Sequence, residues 1–130
     1  MNKPYDGCFV CGADNPIGLK LRFYYDDQGH AHSELELNEL FAGYPAVIHG
    51  GIIATLLDEV MAKAVIESGK NAVTARLQVS YRRAVHPGSS LHLEGWILES
   101  KTRTIKTAAR IYDQDGSYAE AEAVFIVPKS

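Results

Sequence analysis

The stretch that begins at His49 and runs to Ala64 constrains the fold of this chain more than any other. It opens with a histidine and two glycines, which let the backbone turn sharply, and it is then almost entirely apolar until Asp58. The apolar residues recur at helical spacing, which predicts one helix that follows His49 and ends at about Glu67. Because this helix is apolar on most faces, we expect other structure to wrap around it. A carboxylate inside such a helix is uncommon unless it is paired or functional, so Asp58 is the leading candidate residue.

The first turn of this helix is a second candidate. Its N–H groups are unpaired and carry a partial positive charge, and Gly50 and Gly51 would let a polarised carbonyl or an oxyanion approach them closely. Asp58 would suit a base or a nucleophile. Eight positions along one helix correspond to roughly 12 Å, whereas a reacting group should lie about 3 Å from each contributor. Two antiparallel copies could supply both groups, so a site of this kind predicts a homodimer.

Length and charge limit the classes of protein to which the chain can belong. Its 130 residues suit one domain with a substantial core, placed at 1–130. The formal net charge of −3 gives no sign of a nucleic-acid partner. No apolar run reaches membrane-spanning length and no signal peptide opens the chain, so we expect no membrane partner. With two cysteines and no export signal, the expected localisation is cytoplasmic.

Residues 1–18 are predicted to form a turn-rich N-terminal arm that contains Cys8 and Cys11. Cysteines at this spacing can form half of a zinc site, but zinc takes about four ligands, so a histidine or a partner subunit would have to complete the set. A thioredoxin-like redox pair would need a preceding strand and a following helix, which the sequence does not predict. We favour an arm with two reduced thiols.

The rest of the chain is predicted to be mostly strand. A hairpin comes before the helix, a loop at 38–48 leads into it, and four strands with short connections follow it, which makes them antiparallel. One apolar helix and one long curved antiparallel sheet make an α+β layer fold with the sheet wrapped around a central helix. The predicted strands are 19–25, 30–37, 72–85, 90–100, 103–112 and 118–127.

These residues resemble the hotdog-fold acyl-CoA thioesterases of the 4-hydroxybenzoyl-CoA thioesterase superfamily, specifically the phenylacetyl-CoA thioesterase-like branch. The motif of that family is His-Gly-Gly with an Asp or Glu nine positions after the histidine, here His49 and Asp58. The strand at 73–83 is also similar to the family strand that follows the helix. The Cys-Phe-x-Cys-Gly and Asn-Pro-x-Gly-Leu segments of the arm resemble an arm seen in many members, so the resemblance covers nearly the whole chain.

The resemblance implies a hotdog-fold enzyme that hydrolyses an acyl-CoA thioester to a free acid and coenzyme A. It implies a homodimer or a dimer of dimers, with no cofactor and no metal in the chemistry. In such a site the N–H of Gly50 polarises the thioester carbonyl and Gly51 lies beside the substrate. Asp58 of the other subunit acts as the base or the nucleophile, and Thr74 helps to position the water.

Four further positions complete the predicted site. His49 either takes part in the chemistry or orients the loop through its ring nitrogens. Some relatives carry an Asn six residues before the histidine, as a partner for the water or the carbonyl. This chain has Gly43 at that position, so the role is either unfilled or has moved to His49. Arg83 could contact a phosphate of coenzyme A. By strand alternation Thr74 lies on a polar face, and it reaches the helix only if the strand bulges or a dimer presents that face.

Two other functional classes compete with the hydrolase. A hotdog hydratase or dehydratase would use a histidine with a nearby acid in a different motif, and no Asp lies in the loop just before His49. A non-catalytic acyl-CoA-binding regulator would keep the pocket, lose the carboxylate and carry a DNA-binding segment. The presence of Asp58 favours hydrolysis. The remaining histidines are predicted to be surface strand or turn residues: His30, His32, His86 and His92.

Overall fold

The computed structural model describes residues 6–129. Within that range one long helix, α1, is preceded by four short strands and a 3₁₀ turn at Glu39–Phe41, and it is followed by four longer strands. The elements are β1 (Tyr24–Tyr25), β2 (Ala31–Leu35), β3 (Ala42–Tyr44), β4 (Val47–Ile48), α1 (Gly50–Glu67), β5 (Val73–Tyr81), β6 (Leu91–Ser100), β7 (Thr104–Asp113) and β8 (Gly116–Ile126).

The helix lies where the sequence predicted it. His49 is its N-cap, and its side chain accepts a hydrogen bond from the N–H of Gly51. Ser68 caps the other end, and Gly69 follows with a φ of 93°, a backbone conformation that glycine adopts without strain. The faces of α1 that pack into the core are apolar, as a wrapped helix requires. Its buried residues are Ile53, Leu56, Leu57, Val60, Met61, Ala64 and Val65.

Six strands form one antiparallel sheet in the order β1-β2-β6-β7-β8-β5, and α1 packs against one face of it. The predicted α+β arrangement of one central helix and a curved antiparallel sheet is therefore confirmed. The four strands after the helix are antiparallel as predicted, but β5 does not pair with β6. It crosses to the far edge of the sheet and pairs with β8 instead, so one side of β5 has no partner strand among residues 6–129.

The helix approaches the sheet closely at Gly95 in β6. A Cβ atom added at Gly95 would lie 2.6 Å from the carbonyl oxygen of Val60 and 3.0 Å from the amide nitrogen of Met61. Such a contact is shorter than van der Waals packing allows, so this position has no room for a side chain. The absence of a side chain at Gly95 lets α1 sit directly on β6.

Three predicted segments before the helix were wrong in extent. The first strand, predicted at 19–25, is only Tyr24–Tyr25, because Lys20 has a φ of 57°. Leu19 and Leu21 instead donate their N–H groups to the carbonyls of Phe9 and Val10 in the arm, at 2.7 and 2.9 Å. The second strand, predicted at 30–37, is shortened to Ala31–Leu35. The predicted loop at 38–48 contains the 3₁₀ turn and the small hairpin of β3 and β4, which turns through Ala46 at a φ of 62°.

The strand predicted at 72–85 ends at Tyr81. Beyond that point the N–H groups of Arg82 and Arg83 both donate to the carbonyl of Tyr118, at 2.8 and 3.2 Å, which breaks the regular ladder. The last three strands start and end within two residues of their predicted bounds. No helix among the described residues is long and apolar enough to cross a bilayer.

Candidate active site

The N-terminus of α1 presents one free N–H group. The ring Nδ1 of His49 accepts a hydrogen bond from the N–H of Gly51 at 2.8 Å, so Nδ1 carries no proton and the N–H of Gly51 is occupied. Gly50 is the first helical residue and has no intrahelical acceptor, and its N–H has no acceptor elsewhere within residues 6–129. Of the two predicted glycines, Gly50 is therefore the one whose N–H can still bind a carbonyl oxygen.

His49 is held in this capping position by its neighbours. Its N–H donates to the carbonyl of Phe41 at 2.8 Å, and a Cβ added at Gly43 would lie 3.1 Å from both its Cα and its ring Cδ2. An asparagine at position 43, as in some relatives, would push against this histidine. The ring of His49 thus organises the first turn of the helix through its Nδ1.

An open groove of about 740 Å³ begins at this end of the helix. Its lining includes Gly50 and Tyr81, and the Tyr81 hydroxyl donates to the carbonyl of Gly50 at 2.7 Å. Most of the lining surface is apolar, and two arginines, Arg82 and Arg83, contribute to it. The residues around the groove are Gly43, Tyr44, Val47, Ile48, His49, Gly50, Ile53, Tyr81, Arg82, Arg83, Ala84 and Val85.

Asp58 and Thr74 are in direct contact. The Thr74 hydroxyl donates to Asp58 Oδ1 at 2.6 Å, although strict alternation would place Thr74 on the opposite face of β5 from Leu77. The register shows the reason: Thr74 pairs with Phe125 and Arg76 with the adjacent Val124, so the strand bulges between them. The extra residue reverses the alternation and turns Thr74 toward the helix, which is the bulge that the prediction required.

The two halves of the predicted site are separate within one chain. Asp58 lies in the third turn of α1, eight positions after Gly50, a distance of roughly 12 Å along the helix axis. Neither Asp58 nor Thr74 lines the groove at Gly50. Within a single chain, Asp58 contacts Thr74, and His49 caps the helix turn that contains Gly50 and Gly51. The Asp58–Thr74 pair and this helix start remain separate.

Arg83 faces the groove but is already engaged. Its guanidinium donates to a carboxylate oxygen of Asp113 and, at 2.9 Å, to the carbonyl of Gly116, and it stacks 3.6 Å from the ring centroid of Tyr118. The Tyr118 hydroxyl, with the arginine, holds the pKa of Asp113 below its usual value. A phosphate at Arg83 would have to compete with an ionised carboxylate.

The cysteines of the arm lie against the central helix. Cys8 Sγ is 3.9 Å from a carboxylate oxygen of Glu59, and the ligand atoms of Cys8, Cys11 and Glu59 all lie within 4.8 Å of one another. Burial, and then the Glu59 carboxylate, raise the pKa of Cys11 to about 12. The ammonium of Lys63 lies 3.9 Å from Glu59 and supplies the positive charge at this cluster. The Cys11 thiol is therefore protonated at neutral pH. Neither cysteine forms a disulfide among the described residues, which agrees with an arm of two reduced thiols.

Sequence reasoning missed the role of Tyr81. Its hydroxyl and ring contact Gly50, where an added Cβ would lie 3.5 Å from the tyrosine oxygen. Tyr81 alternates with Leu77 and Val79, so it shares the apolar face of the strand, and this pattern is the signal that could have pointed to it. What the sequence could not supply was the direction of β5 relative to α1, which brings the end of the strand to the start of the helix.

The architecture and the carboxylate–hydroxyl pair define a class of protein. A central apolar helix with an internal carboxylate, enclosed by an antiparallel sheet, is the hotdog arrangement that the sequence resemblance predicted. The chain belongs to the thioesterase superfamily, because the model of that family matches residues 46–120.

Solved structures agree with this assignment. A crystal structure of the thioesterase superfamily protein RHA08564 superposes with a TM-score of 0.86 at 29% identity, covering 92% of this chain and 62% of that one. The protein smu.793 from Streptococcus mutans, solved bound to acetyl CoA, superposes with a TM-score of 0.78 at 22% identity and covers 85% and 90% of the two chains. The hotdog fold is confirmed.

Curated relatives are longer than this chain. The acyl-coenzyme A thioesterase THEM4 of Xenopus laevis is 29% identical over 86 residues, which is 65% of this chain and 39% of the relative. The uncharacterized mitochondrial membrane protein FMP10 of Saccharomyces cerevisiae is 28% identical over 116 residues, 84% of this chain and 48% of the relative. The chain thus spans less than half the length of these relatives.

Proposed function

We propose that this chain is an acyl-CoA thioesterase whose active site is completed by a second copy. The observation that carries the proposal is the 2.6 Å hydrogen bond between Thr74 and Asp58. A strand bulge brings these side chains together on a helix whose first residue, Gly50, has a free N–H. Family membership and the similarity to THEM4 support the reaction class.

The distance between the two groups supports sharing between subunits. About 12 Å along one helix is too far for a single thioester to contact both Gly50 and Asp58. When two copies of α1 run antiparallel, the helix start of one lies beside the carboxylate of the other, and two equivalent sites result.

The exposed edge of β5 supports a homodimer as well. β5 is an edge strand, and Val73, Leu77 and Tyr81 are exposed in the single chain. Apolar side chains on an unpaired edge are unusual in a protein that works as a monomer. We propose that a second copy covers this edge, in a homodimer or a dimer of dimers.

The proposed chemistry uses a carboxylate and a backbone dipole. The N–H of Gly50 binds the thioester oxygen and stabilises the negative charge that develops on it. Asp58, with the Thr74 hydroxyl, either takes a proton from an attacking water or attacks the carbonyl carbon itself. When Asp58 acts as the base, the water oxygen bonds to the carbonyl carbon, the C–S bond breaks, and the proton taken from the water passes to the departing thiolate of coenzyme A. When Asp58 attacks, the C–S bond breaks and the thiolate takes up a proton from solvent; a water molecule then hydrolyses the acyl–Asp58 anhydride to the free acid and restores the carboxylate. His49 holds the first turn of the helix in the geometry that this requires.

Hydrolysis of a panel of acyl-CoAs tests the proposal, with short, medium, long and aromatic acyl groups and detection of the free thiol. Asp58→Asn should lower turnover by about 10² or more while substrate binding changes much less. Glu59→Gln is the matched control, because it removes the neighbouring carboxylate and should leave turnover near that of the unmodified protein. If Asp58→Asn hydrolyses every accepted substrate at the unmodified rate, the mechanism through Asp58 is wrong.

A mixed dimer tests the sharing of the site. One chain carries Asp58→Asn and the other carries Gly50→Pro, provided that the second variant folds. One of the two sites then combines an intact Asp58 with an intact Gly50, so activity should return to the mixture of two inactive variants. Activity that does not return, from correctly folded mixed dimers, would contradict a shared site.

A further inference from the structure

Tyr81 links the end of β5 to the start of α1. It is the last residue of the strand, and its backbone is paired with Ala119 in β8. Its hydroxyl donates to the carbonyl of Gly50, the first residue of the helix, at 2.7 Å. A Cβ added at Gly50 would lie 3.5 Å from the phenol oxygen and 3.6 Å from the nearest ring carbons. The phenol therefore packs beside Gly50 as well as binding its carbonyl.

The peptide group that joins Gly50 to Gly51 is held at both ends. Its carbonyl oxygen, from Gly50, accepts the hydrogen bond of the Tyr81 hydroxyl. Its N–H, from Gly51, donates to Nδ1 of His49 at 2.8 Å. One peptide plane is thus bonded to two side chains, one just before the helix and one at the end of β5. This plane cannot turn without breaking these bonds.

Two consecutive glycines make such a restraint necessary. Because neither residue has a Cβ, the backbone at Gly50 and Gly51 has more accessible conformations than at any other residue type. Glycine is nevertheless required at position 51, where a Cβ would lie only 3.0 Å from Nδ1 of His49 and would push against the capping ring. The helix therefore begins at its most flexible backbone, and side chains supply the rigidity that the residues themselves lack.

The direction of the Gly50 N–H depends on this restraint. That N–H belongs to the preceding peptide group, whose carbonyl, from His49, accepts from the N–H groups of Ile52 and Ile53 at 3.0 and 3.2 Å. The N–H itself has no acceptor within residues 6–129. The two peptide groups share the Cα of Gly50, so a rotation of the second plane changes the torsion angles at Gly50 and disturbs the first. A hydrogen bond at the Gly50 carbonyl therefore also steadies the Gly50 N–H.

We infer that Tyr81 is a positioning residue for hydrolysis: its hydroxyl holds the first turn of α1 so that the Gly50 N–H stays directed at the thioester oxygen. This inference rests on the function proposed above. A donor that stabilises a developing negative charge is effective when it is already oriented, because no energy is then spent on turning it during the reaction. In this role Tyr81 acts through the backbone of Gly50 and does not bond to the reacting atoms.

Steady-state hydrolysis tests the role of the hydroxyl. Tyr81→Phe keeps the ring and removes the donor to the Gly50 carbonyl. With the acyl-CoA that the unmodified chain hydrolyses fastest, kcat should fall about 10- to 100-fold and KM should change less than about threefold, because the bond from Gly50 strengthens as charge develops on the oxygen. Tyr24→Phe is the matched control. It removes a tyrosine hydroxyl that donates to Glu34, outside the groove, and should keep kcat within about twofold.

NMR tests the restraint independently of turnover. In protein labelled with nitrogen-15 glycine, Tyr81→Phe should raise the solvent-exchange rate of the Gly51 N–H at least about tenfold, because the freed peptide plane can turn away from His49. Tyr81 is 55% exposed, so Tm should stay within about 5 °C of that of the unmodified chain. A hydroxyl that only held the end of β5 would lower Tm and leave the exchange of Gly51 unchanged.

Two results would overturn the inference. One is an unmodified kcat in Tyr81→Phe when the unmodified chain is active. The other is an unchanged exchange rate of the Gly51 N–H in that variant, whatever happens to kcat. A failure of the proposed function has a different outcome: the unmodified chain then hydrolyses none of the acyl-CoAs. The role in hydrolysis falls with it, while the exchange rate still shows whether Tyr81 restrains the start of the helix.

Discussion

The hydrogen bond between Thr74 and Asp58 leads to a quantitative prediction. Thr74→Val keeps the shape of the side chain and removes the hydroxyl that donates to Asp58 Oδ1 at 2.6 Å. A hydrogen bond to a charged group contributes about 1.5–3 kcal/mol, and each 1.4 kcal/mol in a barrier changes a rate about tenfold. If the bond acts in the transition state, turnover should fall roughly 10- to 100-fold and KM should change less than about twofold. Thr74 is exposed, so the free energy of unfolding should change by less than about 1 kcal/mol.

Two variants separate this effect from a general disturbance. Thr74→Ser keeps the hydroxyl and should retain turnover within about threefold of the unmodified chain. Thr55→Val removes another hydroxyl of the same helix region, one that donates to the carbonyl of Gly51 at 2.9 Å, and should also have little effect. All three are compared by steady-state hydrolysis with detection of the free thiol. Unchanged turnover in Thr74→Val would refute a catalytic role for the pair.

Four further predictions concern assembly, the arm and packing. Sedimentation at the assay concentration should show a dimer or a dimer of dimers, and an active monomer would exclude the shared site. The double variant Cys8→Ser, Cys11→Ser should fold and turn over substrate normally; stoichiometric zinc, with unfolding on chelation, would contradict this. Because burial raises the pKa of Cys11 to about 12, mass spectrometry should find this thiol alkylated by iodoacetamide at pH 8 far more slowly than an unburied thiol. Gly95→Ala should lower the free energy of unfolding by roughly 1–3 kcal/mol, since the new Cβ would lie 2.6 Å from the Val60 carbonyl oxygen; an unchanged midpoint in denaturant would contradict it.

The helix and most strands could be predicted because their patterns depend on local sequence. The apolar repeat after His49 and the glycine that follows Ser68 determine where α1 begins and ends. Residues 19–23 were predicted wrongly for a physical reason. They have the composition of a strand, but their backbone bonds go to the arm at Phe9 and Val10 rather than to the sheet, and no local pattern reveals a long-range partner.

The candidate site was only partly predictable from the sequence. Gly50 and Asp58 could be placed by helical periodicity alone. The position of Thr74 could not, because the bulge is set by how β5 pairs with β8, where Thr74 and Arg76 meet the adjacent residues Phe125 and Val124. The capping role of His49 depends on a ring orientation that Gly43 permits by having no side chain. The Thr74–Asp58 hydrogen bond and the His49 cap therefore both depend on tertiary packing, which local sequence does not reveal.

The unpaired side of β5 also affects the colloidal behaviour of the protein. A free edge strand offers its N–H and C=O groups to any extended chain, and its exposed Val73 and Leu77 add apolar surface. In a folded single chain, this edge is where aggregation would begin. The bulge before Arg76 and the charge of that residue both interrupt a flat ladder, so strand addition can extend regularly only from Arg76 to Tyr81. The irregularity that turns Thr74 toward the helix thus also protects the chain against fibrous growth.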